Sequence, residues 1–204
     1  MSMVEKEGVV KYSLDFTKEE ITYAQEYQVL EECRKRLYSL GLIGAYSDGI
    51  GYGNISYRIK NTDKFLITAT QTGELSDLSM DEYSLVEDID FKSFKTTAKG
   101  NSRPSSECIT HGAIYSLDEE INAVVHIHNE KLWNFMLEND LLSTNDTPYG
   151  TPEMVEDVVN IYKDIDVLSN NVFVMKGHFE GIVSFGKDIT QAEQAVYEII
   201  KKFL

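Results

Sequence analysis

Two of the chain's four histidines, His126 and His128, stand one residue apart at the end of the apolar run in "NAVVHIHNEKLW". The β-branched run reads as a strand, where successive side chains alternate faces. Both imidazoles then point the same way, about 7 Å apart along the strand. So placed they can converge on one metal ion, or they can be two ordinary histidines at a sheet edge. His178, in "MKGHFEG", follows another apolar stretch and lies between glycines that let the backbone turn. Three neutral imidazoles that leave a fourth position open form a catalytic zinc arrangement. Glu107 offers a carboxylate, either as a fourth ligand or as an acid/base partner for chemistry at the metal. The remaining histidine, His111, lies four residues beyond Glu107 on the same helix face. It is read as a neighbour of the site or a plain helix residue rather than a ligand.

A second group of residues suits an anion. Ser105 and Ser106 fall at a predicted helix start, where free N–H groups and the helix dipole favour negative charge. A serine pair there can equally be a simple cap. Thr72 and Gly73 in "TQTGEL", and Asn54 after "GYG", end turns at strand edges with small donors. A glycine-flanked asparagine is also an ordinary turn residue.

The elements that must carry these residues can be read from periodicity. "TKEEITYAQEYQVLEECRKRLYSLGL" predicts a helix with Thr17 and Glu20 as a capping box, Tyr23, Tyr27, Leu30 and Leu37 on its apolar face, and Gly41 as its stop. "GYGNISYRI" and "KFLITAT" read as two strands, and "YSLVEDIDFKSFKTT" as two more. A short helix starts at Ser79, with Glu82 at its third position. "PSSECITHGAIYSL" is a helix with Ser105, Ser106 and Glu107 in its first turn, and another helix follows the histidine strand through Trp133. "TPEMVEDVVNIYKDI" carries Thr151 as cap and Pro152 at the first helical position. "NNVFVMKGH" and "GIVSFG" are strands, and "DITQAEQAVYEIIKKFL" is a closing amphipathic helix. Without regular βαβ alternation, this pattern predicts a central, mostly antiparallel or mixed sheet with helices packed on it.

The 204 residues suit one domain, 1–204, with no repeat, low-complexity tract or linker. A formal charge of −15 argues against nucleic acid and against anionic membranes, so an anionic substrate needs a local pocket. No run is long enough to span a membrane, and the N-terminus lacks the apolar core of a signal peptide. Cys33 and Cys108 have no motif spacing and read as reduced core residues. The expected location is cytoplasmic.

Taken in order, "GYGNISYR", "ITATQTG", "RPSSE", "NAVVHIHN", "TPYGTPE" and "GHFEGIVSFGKD" resemble the class II aldolase/adducin family, from about residue 25 to the C-terminus. The resemblance implies an α/β fold of three α/β/α layers, a central mostly antiparallel sheet covered by helices. It implies one zinc ion per subunit held by His126, His128 and His178, with Glu107 as a ligand that becomes the acid/base when substrate binds. It implies that Asn54, Thr72, Gly73, Ser105 and Ser106 hold a substrate phosphate. Tyr149, the tyrosine of "PY", would come from a neighbouring subunit of a homotetramer and help protonate the substrate carbonyl. The activity implied is cleavage of a small ketose 1-phosphate to dihydroxyacetone phosphate and an aldehyde through a zinc-stabilised enediolate.

The sequence departs from the family pattern in two places. "TATQTG" carries two residues more than the usual strand turn, and "GHFEG" inserts two after the histidine, which adds the acidic Glu180. Other members are sugar-phosphate 4-epimerases and dehydratases, and adducin-like modules keep the fold without the metal. The epimerases usually carry aspartate where Glu107 stands, and the complete histidine set counts against a module without metal.

Overall fold

The computed structural model describes residues 9–163 and 171–204. Eight strands form one sheet: β1 (Ser13–Lys18), β4 (Asn54–Arg58), β5 (Phe65–Thr68), β6 (Tyr83–Asp90), β7 (Lys95–Gly100), β8 (Ala123–His128), β9 (Val172–Val174) and β10 (Gly181–Gly186). Their order is β1-β7-β6-β5-β4-β8-β10-β9, and a separate two-stranded hairpin joins β2 (Gly44–Ala45) to β3 (Gly51–Tyr52). Every neighbouring pair in the large sheet is antiparallel except β1 with β7. This is the mostly antiparallel sheet that the sequence implies.

Helices cover both faces. Leu30, Cys33 and Leu37 of α1 (Ala24–Ser39), Leu132 and Met136 of α3 (Glu130–Glu138), and Ala192, Val196 and Ile199 of α5 (Ile189–Phe203) pack on one side. Their spacings of three, four and seven residues form the single apolar stripe of a surface helix. On the other side lie α2 (Cys108–Leu117) and α4 (Pro152–Tyr162), with Ile109, Ala113, Met154 and Val158 against Phe65, Ile67 and Val124. The architecture is therefore α/β in three layers.

Local signals explain most element ends. Ser79 and Glu82 close a capping box on a short 3-10 turn, Met80–Glu82. Thr151 caps α4 by accepting the Met154 N–H, with Pro152 in the first turn, as read from the sequence. The residues 164–165 assigned to the end of that helix, and residues 1–8, lie outside the described residues.

Three sequence expectations are corrected. Thr17 does not cap α1: it lies in β1, opposite Lys99, and α1 begins at Ala24 without a side-chain cap. Residues 13–18 alternate, and Leu14 and Phe16 pack against the α2/α4 layer. That burial with ladder bonds to β7 outweighs one cap. The strand expected over "GYGNISYRI" is broken at Gly53 (φ +75), where a Cβ would collide with Ile43. The third correction concerns α2, which starts at Cys108 with Glu107 as its N-cap residue. Ser105 and Ser106 precede it in a turn closed by Cys108 N–H donating to the Ser105 carbonyl.

Asp188 caps α5 by accepting the Gln191 N–H at 2.8 Å. Replacing it with alanine should cost about 1 kcal/mol in urea unfolding. Thr17→Ala, a change in an edge strand rather than at a cap, should cost under about 0.5 kcal/mol.

Candidate metal centre

The alternation of β8 sorts its side chains between the two layers. Ala123, Val125 and Ile127 enter the α1/α3/α5 side, while Val124 faces α2 and α4. His126 and His128 share the parity of Val124 and point to the α2 side. Register then surrounds them: His126 pairs with Asn54 of β4 and Val183 of β10, and His128 pairs with Gly181. His178 comes from the tight turn between β9 and β10, which is closed by the His178 N–H on the Met175 carbonyl and the Gly181 N–H on the His178 carbonyl. Glu107 arrives from the buried N-terminus of α2, an end whose dipole favours a carboxylate.

The four side chains converge and are closed to solvent, each 3% exposed or less. Among the described residues, His126, His128 and His178 form a cluster whose ligand atoms lie within 4.8 Å of one another. His126 Nε2 is 2.9 Å from His128 Nε2 and 2.9 Å from Glu107 Oε2, and His178 Nδ1 is 3.2 Å from Glu107 Oε1. The His126 Nδ1 lies 3.2 Å from the Ile182 carbonyl, which can only accept. Nδ1 therefore carries a hydrogen, which leaves Nε2 as the atom that would face a metal. Ring nitrogens and a carboxylate this close, away from water, need a proton or a metal ion between them, and three imidazoles beside a carboxylate are a donor set that fits a metal ion.

Burial opposes the charge of Glu107, but the facing His126 and His178 outweigh it and hold the carboxyl well below the ordinary carboxylate range. Burial first, then His126 and His178, keeps His128 well below the usual histidine value. His111 stands outside the cluster. Its Nδ1 bonds Ser56 at 2.7 Å, and burial lowers its pKa to about 3, which makes it a neutral neighbour of the site.

Asn54, Thr72, Gly73, Ser105, Ser106 and Glu107 border one cavity of about 20 Å³. Asn54 directs its amide to Glu107 Oε2 at 2.7 Å, so it orients the carboxylate. Ser105 Oγ accepts the Glu107 N–H at 3.3 Å and acts as a cap on the entering turn. Gly73 backs onto Gly44, where a Cβ would strike the Gly44 carbonyl. The Arg34 guanidinium, fully buried, donates to the carbonyls of Thr72, Leu75 and Ser76 and pins this longer loop. Tyr149 packs against His178 of its own chain, centroids 4.6 Å apart, and its hydroxyl accepts the Val9 N–H.

Sequence reasoning missed two participants. Tyr46, in the β2–β3 turn, bonds both His128 Nδ1 and Glu180. It stands in a glycine-rich turn with no motif around it. Arg34 looks like any helical arginine, and only the path of the loop brings carbonyls to it.

The chain belongs to the class II aldolase/adducin family: the family model described as Class II Aldolase and Adducin N-terminal domain matches residues 28–202. It is 31% identical over 155 residues to an L-fuculose phosphate aldolase of Methanococcus maripaludis strain C5, covering 69% of this chain and 75% of that one. It is 25% identical over 169 residues to a 3-oxo-tetronate 4-phosphate decarboxylase of Haemophilus influenzae, covering 73% of each chain. The fold matches a sugar-phosphate aldolase from Thermotoga maritima with a TM-score of 0.66 at 20% identity, over 88% of this chain and 92% of that one. These relatives are enzymes. Among the described residues no helix is long and apolar enough to cross a membrane.

The unfolded chain protonates His111 near pH 6.5, the folded chain only near pH 3. The unfolded state binds more protons in that window, so stability falls as pH drops through it, by about 1.4 kcal/mol per unit. In metal-free protein, His111→Gln should flatten that acid limb relative to wild type, measured by urea unfolding between about pH 6 and 4.

Proposed function

We propose that the protein is a zinc-dependent aldolase, a carbon–carbon lyase that cleaves a small ketose 1-phosphate to dihydroxyacetone phosphate and an aldehyde. The observation that carries this reading is the buried convergence of His126, His128 and His178 on the Glu107 carboxylate. Bound zinc supplies Lewis-acid stabilisation of the negative charge that develops on substrate oxygens when the carbon–carbon bond breaks. The three imidazoles would hold the ion, with the Glu107 carboxylate beside them.

Glu107 would move the proton at the reacting carbon, with Asn54 fixing the orientation of its carboxylate. Tyr149, stacked on His178, would accept the proton lost by the hydroxyl that becomes the aldehyde carbonyl, and in the condensation direction would donate it to that carbonyl. Ser105, Ser106, Thr72 and Gly73 hold the phosphate, which keeps the reacting carbons in place. A cavity of about 20 Å³ has room for about one water. The reading includes a cytoplasmic homotetramer, and light scattering giving the mass of one 23.2 kDa chain would remove the tetramer from it.

The Haemophilus influenzae relative supports a second reading, decarboxylation of a phosphorylated 3-oxo acid, which leaves the same kind of electron pair beside a carbonyl. A panel of ketose 1-phosphates and 3-oxo-acid phosphates separates the two. We expect aldehyde release from a ketose 1-phosphate, abolished by chelation and restored by zinc. Carbon dioxide from an oxo acid, with no aldehyde from any ketose, would put the decarboxylase in its place.

Two substitutions test the roles. Glu107→Gln should keep the metal, by elemental analysis, while turnover falls roughly 10²–10⁴-fold. Ser105→Ala with Ser106→Ala should raise KM about ten-fold or more, the worth of a charged hydrogen bond. An unchanged KM would move the phosphate elsewhere.

A further inference from the structure

We propose that Tyr46 and Glu180 are positioning residues that hold His128 in the tautomer a metal requires, an inference that rests on the metal centre proposed above. The Tyr46 hydroxyl is 2.8 Å from Glu180 Oε2 and 2.9 Å from His128 Nδ1. The phenol donates its one hydrogen to Glu180, so its oxygen accepts from His128 Nδ1–H. Nε2 is then left as a lone pair facing His126 Nε2 and the metal position. Glu180 stands 3.9 Å from His128 Nδ1, beyond hydrogen-bond reach, and therefore acts through the phenol.

The backbone is built to keep this contact. Glu180 sits at φ +66, a conformation that side-chain-bearing residues adopt rarely and that tends to be retained at functional sites. Its carbonyl accepts the Asn129 N–H at 3.0 Å, which ties the turn to the end of β8. One turn thus delivers both the ligand His178 and the anchor of the ligand His128. On the other side, Tyr46 is steadied by the Tyr52 ring, centroids 4.6 Å apart. The two strand histidines are served differently: His126 is fixed by the Ile182 carbonyl, and His128 by a side-chain relay that mutation can remove. Partners of this kind orient the ring and raise its basicity toward the metal.

The test is Co(II) titration of the full chain, followed by visible absorption, with zinc competition against a chelator and an unfolding midpoint for each metal-free variant. Tyr46→Phe keeps the ring packing and should weaken metal binding about 10–100-fold without moving the midpoint. Glu180→Ala should weaken it as well, and the double variant should bind no more weakly than Tyr46→Phe alone, because one residue acts through the other. Glu180→Gln, whose amide oxygen still accepts the phenol hydrogen, should recover most of the affinity. Wild-type affinity in Tyr46→Phe, or losses that add in the double variant, would overturn the relay. A wild-type protein that binds neither Co(II) nor zinc overturns the metal centre instead, and the relay with it.

Discussion

The structure is organised around electron-rich atoms buried against one another. His126 Nε2 and His128 Nε2 are 2.9 Å apart, a carboxylate oxygen lies equally close, and none of the three reaches solvent. Removing a charged group from water costs several kcal/mol even after relaxation, and the cost is recovered only with excellent geometry and an opposite charge. A cation at the centre meets that requirement. The surrounding fold supplies the geometry: strand alternation aims two imidazoles, a turn aims the third, and a helix N-terminus aims the carboxylate.

The three-layer arrangement makes this possible because the central strands are covered on both sides. β8 is buried along its whole length, so its two faces serve different purposes. One face packs under α1, α3 and α5, and the other gives its last two inward positions to histidine. Neighbouring strands then contribute at fixed register. Asn54 stands opposite His126 and orients Glu107, and Gly181 opposite His128 leaves room for the rings. The loop after β5 is held from behind by Arg34, so its polar backbone stays beside the carboxylate without help from bulky side chains.

Much of this was legible in the sequence, and the reasons are physical. The H-x-H pair follows strand periodicity, and caps such as Thr151 and Ser79 follow from backbone groups that lack partners at helix ends. The placement of β1 was not legible, because a threonine three residues before a glutamate satisfies a capping pattern equally well. Tertiary pairing with β7, distant in sequence, decided against the cap. The start of α2 was displaced past Ser105 and Ser106 because the Ser105 carbonyl and hydroxyl close a tight turn first. Tyr46 and Arg34 were invisible for another reason. Each matters through a partner more than 35 residues away, and no local pattern encodes such a contact.

Zinc K-edge X-ray absorption on the zinc-loaded protein tests the central claim most directly. We expect three imidazole nitrogens at about 2.0–2.1 Å, with oxygen completing the shell and no sulfur. Fewer than three imidazoles, or a sulfur neighbour, would contradict the convergence of His126, His128 and His178 on one ion.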